Sequence, residues 1–89
     1  MNEMMMLVVG LVNLEIAFKF EIDERLGKDG AHVTFEKDGE TVSVIWNFAS
    51  MGYEMGLLEA WTRNSDLFQD NGGDPLGYLT AVDILAKLQ

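Results

Sequence analysis

Ala31-His32-Val33-Thr34-Phe35-Glu36, then Lys37-Asp38-Gly39-Glu40, then Thr41-Val42-Ser43-Val44-Ile45-Trp46-Asn47-Phe48 is the stretch that sets the fold. Ala31, Val33 and Phe35 alternate with His32, Thr34 and Glu36. Val42, Val44, Trp46 and Phe48 alternate with Thr41, Ser43, Ile45 and Asn47. A period of two is the mark of a half-buried strand. Asp38-Gly39 lies between the two runs. A type I′ turn needs positive φ at both central residues, and Asp-Gly supplies it at low cost. The stretch reads as an antiparallel hairpin with one apolar face.

The pattern extends upstream. Leu14, Ile16, Phe18, Phe20 and Ile22 alternate with Glu15, Ala17, Lys19 and Glu21, which predicts a strand over Leu14–Ile22. Asp23–Gly30 is polar with two glycines and reads as its connection to the hairpin. Three strands in series then form a meander, whose apolar face needs a cover. The C-terminal segment offers one. Thr80 is a good N-cap, and Asp83 stands three residues on, as in a capping box. Leu79 before the cap and Ile84 suit a hydrophobic staple. Ala81, Ile84, Leu85 and Leu88 share a face, and Lys87 complements the dipole in the last turn.

Two segments read both ways. Asn2–Val12 is either a Met-rich helix or a strand, and the reading taken is a short helix. Tyr53–Arg63 is either a helix, with Leu57, Leu58 and Trp61 on one face, or a fourth strand from Leu57 to Arg63. Asn64–Gly77 reads as a polar, Gly-rich loop. The predicted fold class is α+β: a three- to four-stranded antiparallel sheet packed by a C-terminal helix, in one domain over residues 1–89.

The 89-residue chain has no Cys, which removes disulfides, thiolate nucleophiles and thiolate metal sites. Its longest apolar run, Met4–Val12, is too short to span a bilayer, so no membrane role and a cytoplasmic setting are expected. Fifteen acidic against 6 basic residues give a net charge of −9. That charge repels phosphate, so no direct nucleic-acid binding is expected. It allows a protein partner with a basic surface. The acids are dispersed over outward strand positions such as Glu15, Glu21 and Glu36, and over turns at Asp23, Asp38 and Asp74. A sheet with one wet face produces that pattern unaided.

Two phrases are familiar: Ser50-Met51-Gly52-Tyr53-Glu54-Met55-Gly56-Leu57-Leu58-Glu59 and Asp74-Pro75-Leu76-Gly77-Tyr78-Leu79-Thr80. Together they resemble a loose set of small acidic proteins of unknown function encoded by phages and prophages. The resemblance covers residues 42–89. It implies a strand over Leu57–Arg63 and a mobile-element origin, and it brings no activity with it. Met51 and Met55 stand here where those proteins usually have Gly or acidic residues.

Candidate chemistry is sparse. His32, the single histidine, reads as an exposed residue on a polar face, without a nucleophile or a second metal ligand; Thr34 and Ser43 would need a carboxylate-oriented triad. Asp66, Asp70, Asn71 and Asp74 share a Gly-rich loop, but their spacing is not that of an EF-hand, and the loop reads as solvated. Glu54 and Glu59 could in principle pair for acid/base work, yet such pairings are common in so acidic a chain. No phosphate loop is present. No catalytic site, cofactor or metal is therefore expected. The Ser50–Gly56 loop has the most suggestive composition, with Trp46, Phe48, Met51, Tyr53 and Met55 around two glycines. Against this stands the reading of Trp46 and Phe48 as core.

The function expected is a non-enzymatic protein-binding module, in its most concrete form an inhibitor of a host nucleic-acid-handling or defence protein. Glu36, Asp38, Glu40, Glu54 and Glu59 would enter a basic groove, with Met51 and Tyr53 as apolar anchors. The alternative is a structural, self-assembling homodimer with Met4–Val12 as its seam.

Overall fold

The computed structural model describes residues 2–23, 30–70 and 72–89. The chain opens with helix α1 (Glu3–Asn13), followed by strands β1 (Phe18–Asp23), β2 (Gly30–Lys37), β3 (Glu40–Trp46), β4 (Leu58–Thr62) and β5 (Leu76–Leu79), and ends with helix α2 (Ala81–Lys87). The strands form one sheet in the order β1-β2-β3-β4-β5, with every neighbouring pair antiparallel. The class is α+β as expected, with five strands rather than three or four.

The central hairpin follows the sequence reading. Lys37 pairs with Glu40, and Asp38 and Gly39 have φ of 53° and 79°, as a two-residue I′ turn requires. Register then sorts the faces. Phe18, Phe20 and Ile22 stand beside Phe35, Val33 and Ala31, and these beside Val42, Val44 and Trp46. Both helices cover this face. Met4, Leu7 and Leu11 of α1 and Ala81, Ile84 and Leu88 join Val33, Val42, Val44 and Leu58 in a single core. The opposite face carries Lys19, Glu21, His32, Thr34, Ser43, Ile45, Glu59 and Trp61, and among the described residues no helix covers it, though Gly73 O accepts from Trp61 Nε1.

The helices touch each other where α1 lacks a side chain. A Cβ on Gly10 would collide with Leu85, so the missing side chain sets the approach of α1 to α2. Glu3 Oε1 accepts a hydrogen bond from Ala81 N at 2.7 Å, tying the N-termini of the two helices together. Thr80 and Asp83 form the capping box foreseen for α2.

The reading of Leu14–Ile22 as one strand is corrected at its start. α1 runs to Asn13, and Glu15 N and Ile16 N close its last turn on Val12 O and Leu11 O. That is a Schellman cap, with Glu15 in the left-handed position at φ 59°. Ile16 packs on the core as the residue after such a cap does, so it mimics a strand alternation it does not belong to. The helical reading of Asn2–Val12 holds: Asn2 Oδ1 caps Met5 N at 2.8 Å. The connection read over Asp23–Gly30 lies, for residues 24–29, outside the described residues.

Asn64–Gly77 is only partly loop, because β5 begins at Leu76. On β4 Leu58 and Ala60 are two apart, while their partners Leu79 and Leu76 are three apart. The extra residue is accommodated by a bulge, where Tyr78 has φ 60°. The bulge breaks the alternation that would have announced the strand. Within the loop, Phe68 is fully buried. Thr62 pins it: Thr62 Oγ1 accepts from Phe68 N (3.1 Å) and donates to Ser65 O (2.8 Å).

Candidate functional site

The two phrases singled out in the sequence meet in space. Asn47 Oδ1 accepts from Ala49 N, and Ser50 Oγ both accepts from Asn47 N and donates to Asn47 O. Both side chains are buried, so the chain reverses direction after β3 around a fixed polar knot. A single 3-10 turn, Tyr53–Met55, follows between Gly52 and Gly56, both left-handed. Leu57 N and Met55 N return to Gly52 O, closing the loop on itself. A Cβ on Gly52 would lie 3.2 Å from the Tyr78 Cα, and one on Gly77 would run into the Met51 side chain. The loop is thus latched onto β5 by two bare-backbone contacts.

Between the loop and β5 lies a cleft of about 320 Å³, lined by Phe48, Met51, Tyr53, Glu54, Met55 and Tyr78 together with Ser50 and Gly52. Large side chains stand exposed around it: Met55 is 68% exposed, Tyr78 58% and Phe48 49%. Glu54 is the charged group on it, and it too is exposed. Glu59 stands behind: its Oε1 accepts from Met51 N at 2.8 Å and so holds the loop down.

The residues named from sequence do not form one surface. Glu36, Asp38 and Glu40 sit at the β2–β3 turn; Met51, Tyr53, Glu54 and Glu59 sit at the opposite end of the sheet. Seven-residue β3 separates the two groups by roughly 20 Å at the rise of a strand. Several also have structural work. Glu40 Oε1 accepts from Asn64 N at 2.6 Å. Tyr53 stacks on Trp46, with ring centroids 4.6 Å apart and planes tilted by 33°. Phe48, read as core, lies past the end of β3 and on the surface instead. Sequence reasoning missed Phe48 and Tyr78 as site residues. The signal for Tyr78 was its place after Gly77 inside the second phrase.

His32 is not the isolated exposed residue expected. It is half-buried, with Nε2 2.8 Å from Ser43 Oγ and 3.4 Å from Thr34 Oγ1, and Nδ1 4.0 Å from Glu21 Oε1. The four side chains belong to three neighbouring strands of the open face. At 4.0 Å the Glu21 carboxylate does not hydrogen-bond the ring. An acyl-transfer nucleophile would also need donors for an oxyanion, and Ser43 sits inside the ladder, between Thr34 and Trp61. The arrangement is a polar cross-strand cluster. In the Asp66–Asp74 loop, Asp70 and Asp74 pair through their backbones at 2.7 Å in both directions, and Asn71 lies outside the described residues. Among the described residues, no three His, Asp or Glu side chains gather as metal ligands would, and no helix is long and apolar enough to cross a membrane.

Compared with protein-family models, curated proteins and solved structures, the chain matches none of them.

Proposed function

We propose that this chain is a protein-binding module, encoded by a phage or related mobile element, that engages its partner through the Phe48–Met55–Tyr78 cleft. The observation that carries the reading is the exposure of these side chains around a loop that its own turn hydrogen bonds and Glu59 hold in place before any partner arrives. Exposed apolar clusters on a small acidic chain need a reason, and partner binding is the common one. Met and aromatic side chains supply adaptable, high-area contacts. A rigid loop loses little conformational entropy on association. Tyr78 is held at positive φ, a strain typical of sites where geometry serves binding.

The partner presents an aromatic or aliphatic side chain to the cleft, with a Lys or Arg beside it for Glu54. The remaining acids steer a basic surface toward this end at long range rather than lining one groove. Inhibition of a host nucleic-acid-handling or defence protein is the consequence when that basic surface is the one its substrate uses.

The test compares immobilised wild-type chain with the Met55→Glu/Tyr78→Asn double variant in host lysate at low and high salt. Asn tolerates the positive φ, so the variant keeps the backbone. A basic protein retained by the wild type at both salts and lost by the variant is the expected result. Retention of no basic protein, or equal retention by the variant, contradicts the reading.

A further inference from the structure

We propose that the chain self-associates through β1, two copies pairing edge to edge about a twofold axis at Phe20 to make one continuous sheet. This surface is distinct from the cleft, although Trp46, which lines the groove beside β1, stacks on Tyr53 of the cleft. Three observations converge on it.

The first is the edge itself. β1 is terminal in the sheet order, so among the described residues its outer backbone groups have no partner strand. Six residues long, β1 pairs with β2 in unbroken register. The other edge, β5, is four residues long and bulged at Tyr78, which blunts it against pairing.

The second is the apolar wall above that edge. Phe20 and Ile22 lie on the helix-covered face but are 39% and 62% exposed. On α1, Gly10 faces α2, and the helical period puts Met5 and Val12 on the opposite flank, toward β1. Met5, Phe20 and Ile22 line one apolar groove. From Met4 to Leu14 the chain carries no charge, in a protein of net charge −9. Met5, Phe20 and Ile22 are all exposed around that groove, a contiguous apolar patch of the kind that is often functional on a monomer. A standard interface needs about 800 Å² a side, and the paired strand backbones would add to the area this patch buries.

The third is charge register, which selects a second copy as the occupant. In an antiparallel pair, directly opposed residues point to the same face. Joining the sheets therefore requires odd-numbered residues to meet odd and even to meet even. Centring the axis on Lys19 or on Glu21 opposes like charges on the axis. Centring it on Phe20 places Lys19 opposite Glu21 of the second copy, twice, with Phe18 opposite Ile22 on the apolar face. Lys19 and Glu21 are both exposed and lie 4.0 Å apart within one chain, a loose surface pair that pairing across the axis would exchange for two between copies.

The test is a charge swap read by light scattering across a dilution series, with circular dichroism confirming that each variant is folded. Wild type is expected at twice the chain mass. Lys19→Glu and Glu21→Lys each oppose like charges twice and are expected at single mass. Mixed one to one, they restore both pairs as a heterodimer at twice the chain mass. A wild type at single mass at every concentration overturns the proposal. So do single variants that associate as the wild type does, or a mixture that stays at single mass.

Discussion

Replacing Gly52 by Ala should disassemble the cleft, and the geometry says by how much. Gly52 has φ 91°, where any L residue is strained by roughly 1–2 kcal/mol. Its added Cβ would lie 3.0 Å from the Leu57 Cβ and 3.2–3.3 Å from the backbone of Tyr78. Backbone held in β5 cannot swing aside as a side-chain tip can. Overpacking of this kind costs about 1–3 kcal/mol. The smaller entropy of the unfolded chain returns about 0.4–1 kcal/mol. Gly56 is the internal control. Its φ is 72°, but a Cβ there meets nothing within 4 Å. Gly56→Ala therefore loses only the strain less the entropy gain, about 1 kcal/mol. Gly52→Ala should lose about 2–4 kcal/mol by the same terms plus the clash. Paired urea denaturation curves measure the difference, and in thermal melts each kcal/mol is worth about 4–8 °C for a domain of this size. Equal destabilisation by the two substitutions would refute the latch between the loop and β5.

Other outcomes follow from the same structure. Glu15→Gly should stabilise the fold by about 1 kcal/mol, since Glu holds a left-handed cap position and puts a negative charge at the wrong end of α1; a melt no higher than wild type contradicts this. Thr62→Val should cost about 2–4 kcal/mol by leaving Phe68 N and Ser65 O without their partner, against about 1 kcal/mol for Thr62→Ser, which loses one buried methyl; the reverse order in denaturant would show that packing, not hydrogen bonding, holds the loop. Phe68→Ala should cost about 3–5 kcal/mol, a large part of the total for a chain of this length, and lower the melting point accordingly.

What could be read in the sequence was what local chemistry dictates. Asp38-Gly39 with flanking alternation announced the hairpin, and Thr80 with Asp83 announced α2, because turn and cap geometries demand those residue types within four positions. Failures occurred where a tertiary contact imitated or hid a period. Ile16 packs as the residue after a helix cap, which looked like one more inward strand position. In β5 a residue in excess let Leu76 and Leu79 both face inward, which no alternation would show. Phe68 gave no periodic signal in its polar loop, yet it is the largest of the fully buried side chains. The site was legible as a composition around Ser50–Gly56 but not as a place. Only the latch of Gly52 on Tyr78 shows that the two phrases share a surface, and only the length of β3 shows that Glu36, Asp38 and Glu40 do not belong to it.

The most direct measurement is to label the chain with nitrogen-15 and map amide shifts on titration with the basic protein retained by the wild-type chain. Shifts confined to Phe48–Gly56 and Gly77–Tyr78 are predicted. Shifts gathered instead at Glu36–Glu40, with the Phe48, Met55 and Tyr78 amides unmoved, would contradict the cleft as the binding site.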